Sequence, residues 1–294
     1  MSIEVTIRQK GLFKKALPLD VIVGKELKYG CFDGLRLSPG ELGETEFIFY
    51  HPARIGRGTS VVWKQGEKEK VDLRILTPAC DQELGDFYEC VRRIAEFWKG
   101  CEILLEGESK SLSEFMESKT SMLEFNQSIL RSLGDEEKSI SRAPLMLYCA
   151  FWPLSLSAED LKQVSQGFAQ FRDYLHSKQS VDAYYAKPSF YRDNNDNLGS
   201  PFGAYACTED TPSIFPIVPK VPLGIVDDRT GKQLEVNKWV ISLFSITENR
   251  VVCMIDYAKF LEAIPEELKK PYDAENILIE GISLELMKRM AEQP

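Results

Sequence analysis

The residues with the clearest chemical potential lie in a short glycine-rich loop that carries two arginines. Arg54 and Arg57 alternate with glycines in the segment 54–58, Arg-Ile-Gly-Arg-Gly. Glycines let backbone N–H groups converge on an anion, and the planar guanidinium group of arginine matches the oxygens of phosphate or carboxylate. The segment therefore could bind a small anionic ligand. A turn with solvated arginines is the favoured alternative, because the segment contains neither a Walker motif nor a dinucleotide-binding fingerprint.

A cysteine and a histidine form a second candidate pair. Cys80 is expected in the first turn of a predicted helix, where the helix dipole can lower the pKa of a thiol, and His51 is the nearest candidate base in the sequence. Together they could form a Cys–His nucleophile, but a lone cysteine is more often a small, packed hydrophobic residue. The other histidine, His176, is expected to bind carbonyl groups at the end of its helix. The sequence thus assigns no catalytic residue beyond this candidate pair.

Aromatic residues and prolines are concentrated between residues 181 and 222, where regular periodicity is absent. Long irregular segments inside domains are often functional, and the aromatic content argues against disorder. The aromatic residues could form an exposed binding surface or, equally, a small core beneath a long loop. The candidates for ligand binding are Tyr184, Tyr185, Tyr191 and Tyr205.

Metal and cofactor sites are not indicated by the sequence. The seven cysteines are dispersed without metal-ligand spacing, and two histidines are too few for a zinc site. The segment 193–199 alternates acids and amides as calcium ligands do. It fails the EF-hand pattern, because Leu198 and Ala204 stand where the glycine and the bidentate glutamate are required, so we expect an asparagine-rich turn. We expect free thiols, no bound metal and no cofactor.

Composition limits the classes of partner and the compartment. The chain has 294 residues with 36 Lys and Arg against 45 Asp and Glu, a net charge of −9. No basic run is long enough for a nucleic-acid tract or a polybasic membrane patch. No apolar run approaches the length of a membrane span, and the first residues alternate like a strand rather than a signal peptide. We therefore expect a cytoplasmic protein that binds neither nucleic acid nor membrane.

The elements that position these residues are predicted from hydrophobic periodicity. Val61–Trp63 and Val71–Ile75 form a hairpin, and the second strand alternates apolar and charged residues. The apolar spacing from Leu84 to Trp98 predicts an amphipathic helix that begins near Thr77 and Pro78. This hairpin and helix form the strongest pattern in the chain.

The second half repeats the alternation of strands and helices. The apolar run Leu145–Trp152 predicts a central strand that is buried on both faces, and Trp239–Ile246 with Val251–Ile255 predicts a second hairpin. A polar connector at 134–139 suggests a boundary near residue 143, which gives halves 1–143 and 144–294 or one compact unit. The pattern predicts an α+β fold with antiparallel hairpins, a mixed sheet and amphipathic helices packed on the sheet faces.

Two stretches resemble those of a known family. Phe49–Gly58 and Asp86–Val91 are similar to segments of bacterial proteins of about this length, found mainly in Gram-positive species and classed only as a domain of unknown function. The resemblance covers the whole chain. It implies a bacterial cytosolic protein, and it supplies no site residues because the family has no assigned activity.

Two functions from different classes are consistent with these patterns. We expect a non-catalytic cytosolic protein that binds a ligand or a partner protein, because no catalytic constellation is present and the aromatic segment is unusual. The alternative is an unrecognised enzyme that binds an anionic substrate at the loop of Arg54 and Arg57.

Overall fold

The chain is divided into two compact units. A computed structural model describes residues 1–135, 143–192, 200–222 and 224–292. The units are Met1–Val181 and Asp182–Pro294, so the boundary predicted near residue 143 falls inside the first unit. The asparagine-rich turn predicted at 193–199 and most of the polar connector at 134–139 lie outside the described residues.

The first unit is built on an antiparallel sheet of eight described strands. They are β1 (Ser2–Gln9), β2 (Lys28–Phe32), β3 (Leu37–Pro39), β4 (Glu46–Tyr50), β5 (Thr59–Val62), β6 (Lys70–Leu76), β7 (Cys101–Leu105) and β8 (Glu108–Lys110). Their order across the sheet is β3-β2-β4-β5-β6-β1-β7-β8, and each neighbouring pair is antiparallel. Buried and exposed residues alternate along β1 and β6, as expected when one face of a sheet is covered.

Apolar side chains of helix α2 (Asp81–Trp98) pack with those of the sheet in one hydrophobic core. Its buried residues Phe87 and Val91 belong to the same core as Val5 and Leu73 of the sheet, which confirms the predicted amphipathic pattern. The predicted helix start near Thr77 and Pro78 is wrong, because the residue that caps the helix is Cys80. The carboxylate of Glu83 accepts the backbone N–H of Cys80 at 3.2 Å and so fixes the start there.

The rest of the first unit adds helices and a small two-stranded sheet. The helices are α1 (Leu19–Val23), α3 (Leu112–Glu117), α4 (Lys119–Leu133), α5 (Ala158–Val164) and α6 (Phe168–Gln179), and the strands are β9 (Leu145–Leu147) and β10 (Leu154–Leu156). Capping boxes at Ser111 and Ser157 begin α3 and α5. The buried central strand predicted at Leu145–Trp152 is wrong: β9 is short, pairs only with β10 among the described strands, and exposes Leu145 and Met146.

The second unit contains two four-stranded sheets in its described part. The first consists of β11 (Tyr184–Tyr185), β14 (Ser213–Pro216), β18 (Asn276–Ile279) and β17 (Lys269–Pro271), in that order, and the second of β12 (Ser189–Arg192), β13 (Pro201–Thr208), β15 (Lys238–Ser245) and β16 (Arg250–Asp256). The irregular segment predicted between residues 181 and 222 is therefore wrong. Prolines lie at or beside the ends of β12, β13 and β14, and β11 and β13 each pair in parallel with a strand that is not their hairpin neighbour.

The core of the second unit lies between these sheets and two helices. The helices are α7 (Tyr257–Ala263) and α8 (Leu284–Glu292), and they contribute Phe260 and Met287 to a buried cluster with Tyr205 and Ile241. The predicted hairpin of β15 and β16 is confirmed. Together with the antiparallel sheet of the first unit, these mixed sheets and packed helices confirm the α+β class. None of the helices in the described part of the chain is long and apolar enough to cross a membrane.

Candidate functional site

The glycine–arginine loop does gather backbone N–H groups around a carboxylate, but that carboxylate belongs to Glu83. Arg57 and Gly58 donate their N–H groups to Oε1 of Glu83 at 2.6 and 2.9 Å. Cys80 donates its own N–H to the other oxygen at 3.2 Å. Gly56 lies so close that an added Cβ would stand 2.3 Å from the same carboxylate. The anion-binding geometry of this loop is therefore occupied by the protein itself.

The side chain of Arg57 is buried and binds backbone carbonyl groups. Its Nε donates to the carbonyl oxygen of Tyr148 at 2.8 Å, and Nη1 donates to those of Thr77 and Pro78 at 2.9 and 3.3 Å. A guanidinium group has five N–H donors in a fixed plane, which suits the simultaneous binding of carbonyl groups from separate segments. Arg57 thus joins loop 54–58 to the segment before α2 and to the segment after β9. We call Arg57, Glu83 and their partners the Glu83 network.

Cys80 lies in the same network, where its surroundings disfavour the reactive thiolate. Burial raises the pKa of its thiol well above the ordinary value, and the carboxylate of Glu83 raises it further. Burial also raises the pKa of Glu83, while the N–H groups that it accepts act in the opposite direction. His51 accepts the N–H of Ala53 at its Nδ1, 3.2 Å away, and burial together with Arg54 lowers its pKa. No hydrogen bond among the described residues supports the predicted Cys80–His51 nucleophile.

Helix α6 holds the other side of the loop. The Nδ1 atom of His176 accepts the backbone N–H of Ile55 at 3.1 Å. The prediction that His176 binds carbonyl groups at the end of its helix is wrong, because this buried loop donor is its partner. Gln179 donates from Nε2 to the carbonyl of Gly56 at 2.7 Å and accepts the N–H of Phe151 at 2.9 Å. Both side chains therefore position the loop.

Arg54 is engaged by an acidic partner at the edge of an acidic groove. Its Nη2 lies 2.8 and 2.9 Å from the two carboxylate oxygens of Asp86. Asp86 also lines an open groove of about 690 Å³ beside α1 and α2. The charged residues of this groove are the acids Asp20, Glu26, Asp86, Glu89 and Glu96 and the bases Lys25 and Arg93. The excess of acids disfavours an anionic substrate there.

The structure separates the four tyrosines that the sequence grouped together. Tyr205 is 4 % exposed, and its ring stacks on Trp239 with centroids 5.6 Å apart, so it belongs to the core of the second unit. Tyr185 is half-buried, and burial raises its pKa. Tyr184 and Tyr191 are 37 % and 53 % exposed. Of the four candidates, Tyr191 therefore offers the largest accessible surface relative to its size.

Tyr191 stands at one side of a shallow apolar groove on the sheet of β12, β13, β15 and β16. Its ring stacks on Phe202, directly opposite in the strand register, with centroids 5.6 Å apart. Met254, 56 % exposed, lines the same groove, which has a volume of about 380 Å³. The other lining residues are Ser189, Ala204, Tyr205, Ala206 and Ser242. We call this surface the outer face of the second unit.

Sequence reasoning missed most of the outer face. Ala206, Ser242 and Met254 are brought together because β15 pairs with both β13 and β16, and the register places Ser242 opposite each of the other two. The available signal is short: Ala204 and Ala206 flank Tyr205, and Ser242 lies between Ile241 and Leu243, as expected of two different faces of a sheet. Their pairing is not visible in the linear sequence, because β13 and β15 are parallel.

Comparison with known proteins gives a family without an activity. The family model described as "Domain of unknown function (DUF4299)" matches residues 2–290. No curated protein and no solved structure matches the chain. Within the described ranges, no group of three or more His, Cys, Asp or Glu side chains is arranged to hold a metal ion. The function must therefore be argued from the surface and its chemistry.

Proposed function

The chain belongs to the family of the domain of unknown function DUF4299, and we propose that it is a non-catalytic protein that binds a partner protein through the outer face of its second unit. The observation that carries the proposal is the exposed stack of Tyr191 on Phe202 beside a groove of small residues. Aromatic residues that are exposed next to an apolar depression are typical of interaction sites.

The contrast between the two faces of this sheet supports the proposal. Tyr205, Ile241 and Leu243 point into the core, whereas Tyr191 and Met254 are more than half exposed. In an antiparallel or mixed sheet, a face that meets only water normally carries polar residues. Exposed tyrosine and methionine on such a face provide apolar contact area, and methionine adapts its shape to a partner.

The shape of the groove indicates the chemistry of the occupant. Ala204, Ala206 and Ser242 are small, so they leave a depression between the aromatic pair and Met254. A volume of about 380 Å³ is enough for one or a few apolar side chains and is small for a cofactor. β12 is at the edge of its sheet, where an extended segment of a partner could lie alongside. We therefore propose that the occupant is an extended partner segment with apolar side chains.

The enzyme alternative draws less support from the same structure. Arg57 donates to carbonyl groups, Arg54 is paired with Asp86, and the pKa of the Cys80 thiol is raised. Both arginines thus have partners within the protein, and the raised pKa disfavours a reactive thiolate at Cys80.

We also propose a cytoplasmic location, which is supported by seven cysteines that are all free thiols.

The test is affinity capture with matched tyrosine variants. Wild type, Tyr191→Ala and Tyr184→Ala are immobilised, and proteins retained from a cytosolic extract are identified and then purified for direct titration. A central aromatic contact contributes about 2 kcal/mol or more, so Tyr191→Ala should weaken binding by about thirtyfold. Tyr184→Ala, which removes an exposed tyrosine outside the groove, should bind like wild type. Equal binding by all three proteins would contradict the proposal.

A further inference from the structure

A second surface is formed where three segments of the first unit meet at one end of its sheet. They are the segment 10–17 after β1, the segment 63–70 from the end of β5 to the first residue of β6, and the segment 99–102 from the end of α2 into β7. Backbone bonds join them: Lys10 donates to Gly100 at 2.7 Å, Gln9 to Glu69 at 2.9 Å, and Leu17 to Glu67 at 2.7 Å. These bonds bring residues that are distant in sequence to one surface.

Buried polar side chains hold loop 10–17 in a fixed shape. Gln9 is buried and donates from Nε2 to the carbonyl groups of Lys15 and Lys68 at 2.8 and 2.9 Å. The indole N–H of Trp98 donates to the carbonyl of Lys15 at 3.0 Å, and that of Trp63 donates to the carbonyl of Leu17 at 3.1 Å. Because buried donors require partners, these contacts define where the base of the loop must lie.

The tip of this loop presents two large apolar residues to solvent. Leu12 and Phe13 are each 97 % exposed, whereas Leu17 at the base of the same loop belongs to the main core of the first unit. Gly11 precedes them with φ of 94° in open space, a backbone conformation that favours glycine. Two adjacent apolar side chains with almost no burial gain nothing from folding, so their role must be sought outside the fold.

The surroundings of this tip are basic in an otherwise acidic protein. The segments 10–17, 63–70 and 99–102 contain seven lysines and three glutamates, whereas the whole chain has a net charge of −9. Lys10, Lys14 and Lys70 pair with Glu102, Glu69 and Asp72. The lysines outnumber the acids even after such pairs are formed. We call these three segments, with their apolar tip, the lysine end of the first unit.

We propose that the lysine end docks on a bilayer surface that contains anionic phospholipids. Leu12 and Phe13 enter the boundary between headgroups and acyl chains, and the surrounding lysines contact the anionic headgroups. Insertion of apolar side chains and attraction of lysines are the two signals that together produce reversible binding to a membrane surface. Nucleic acid fits this surface less well, because one aliphatic and one aromatic side chain, Leu12 and Phe13, stand at the point of closest approach.

This proposal departs from the expectation drawn from the linear sequence. The chain contains no long basic run, which is why neither a membrane nor nucleic acid was expected as a partner. The lysines lie in three short segments, and only the antiparallel register of β1 with β6 and β7 gathers them at one end of the sheet.

Vesicle sedimentation with the full chain tests the proposal. Wild type should bind vesicles of equal parts phosphatidylcholine and phosphatidylglycerol, should not bind phosphatidylcholine alone, and should be released by added salt. Leu12→Ser/Phe13→Ser should weaken binding by about tenfold or more because it removes the inserted apolar area. Lys15→Gln/Lys68→Gln should weaken it by about fivefold for each lysine.

A matched control separates this site from general stickiness. Leu42→Ser/Phe125→Ser replaces the same two residue types at other exposed positions of the first unit and should bind like wild type. In Phe13→Trp, the fluorescence emission of the introduced tryptophan should shift to shorter wavelength when the mixed vesicles are added. Failure of wild type to bind them, or binding by Leu12→Ser/Phe13→Ser equal to wild type, would overturn the proposal. So would binding to a single-stranded oligonucleotide without binding to vesicles.

Discussion

The Glu83 network of the first unit and the outer face of the second unit place their most informative side chains in opposite situations. Glu83, Arg57 and Cys80 belong to residue types that perform chemistry, yet they are buried and bonded to one another or to backbone. Tyr191 and Met254 have little intrinsic reactivity, yet they are exposed on the two sides of a groove.

This difference shows that the type of a side chain does not determine whether it is available to a ligand or a partner protein. A buried carboxylate or guanidinium group must find partners within the protein, and those partners consume the bonds that a substrate would need. An exposed apolar group needs no partner within the protein, and it contributes favourable free energy only when another surface covers it.

Removal of the carboxylate in the Glu83 network should have the largest effect on stability. Glu83→Ala leaves the N–H groups of Arg57, Gly58 and Cys80 without their acceptor in a buried site. Each unsatisfied buried group costs about 1–3 kcal/mol, so we expect a loss of about 4 kcal/mol in the free energy of unfolding, measured by urea titration. Glu108→Ala, at an exposed position of β8, should change it by less than about 0.5 kcal/mol. Equal losses in the two variants would show that the network is not structural.

Truncation of two tyrosines of the second unit should lower the free energy of unfolding by very different amounts. Tyr205→Ala empties a core position beside Trp239 and should cost about 3–5 kcal/mol. Tyr191→Ala should cost less than about 1 kcal/mol, because the side chain is more than half exposed. Thermal unfolding of both variants measures the difference. A large loss for Tyr191→Ala would assign that tyrosine to the core and remove the main support for a binding surface.

The close approach of the loop to Glu83 can be tested at one glycine. Gly56→Ala would place its Cβ 2.3 Å from the buried carboxylate, and overpacking of this kind costs about 1–3 kcal/mol. Gly100→Ala is the matched control, since no atom lies within 4 Å of an added Cβ there. We expect urea titration to show a clear loss for the first variant only. If Gly56→Ala is as stable as the control, the loop does not pack on Glu83.

The smallest effect concerns the pH dependence of a carboxylate in the second unit. Glu209 accepts hydrogen bonds from the hydroxyl of Ser245 at 2.7 Å and from the N–H and hydroxyl of Thr247 at 2.9 and 2.7 Å, and these bonds lower its pKa below 4.5. A lowered pKa means that the stabilisation is fully present above about pH 4.5 and is lost as the pH falls through the lower, folded-state value.

The corresponding variant makes that pH dependence measurable. Glu209→Gln removes the titrating group, so the difference in unfolding free energy between wild type and variant should shrink as the pH falls below about 4.5. Urea titrations at a series of pH values give this difference directly. A difference that stays constant on acidification would mean that Glu209 does not titrate with a lowered pKa.

The sequence predicts the parts of the fold that are determined by neighbouring residues. Helix α2 and the hairpin of β15 and β16 are predictable because their periodicity is local. The run Leu145–Trp152 misled, because a continuous apolar stretch does not show whether its residues are covered. β13 was missed because its parallel partner β15 follows only after β14 and a further loop.

The same limit explains what could be predicted of the candidate site. The convergence of N–H groups in loop 54–58 is a local property that its glycines permit. That these groups converge on Glu83 depends on how the loop meets α2, which the linear sequence does not contain. The burial of Tyr205 and the exposure of Tyr191, both in the same aromatic segment, depend in the same way on the strand register.

Photo-crosslinking at two single positions tests the central comparison most directly. A photoreactive phenylalanine analogue is placed at position 191 on the outer face or at position 54 beside the acidic groove, and each protein is irradiated in a cytosolic extract. We expect one discrete adduct with a partner protein from position 191 and none from position 54. An adduct from position 54 without one from position 191 would contradict it.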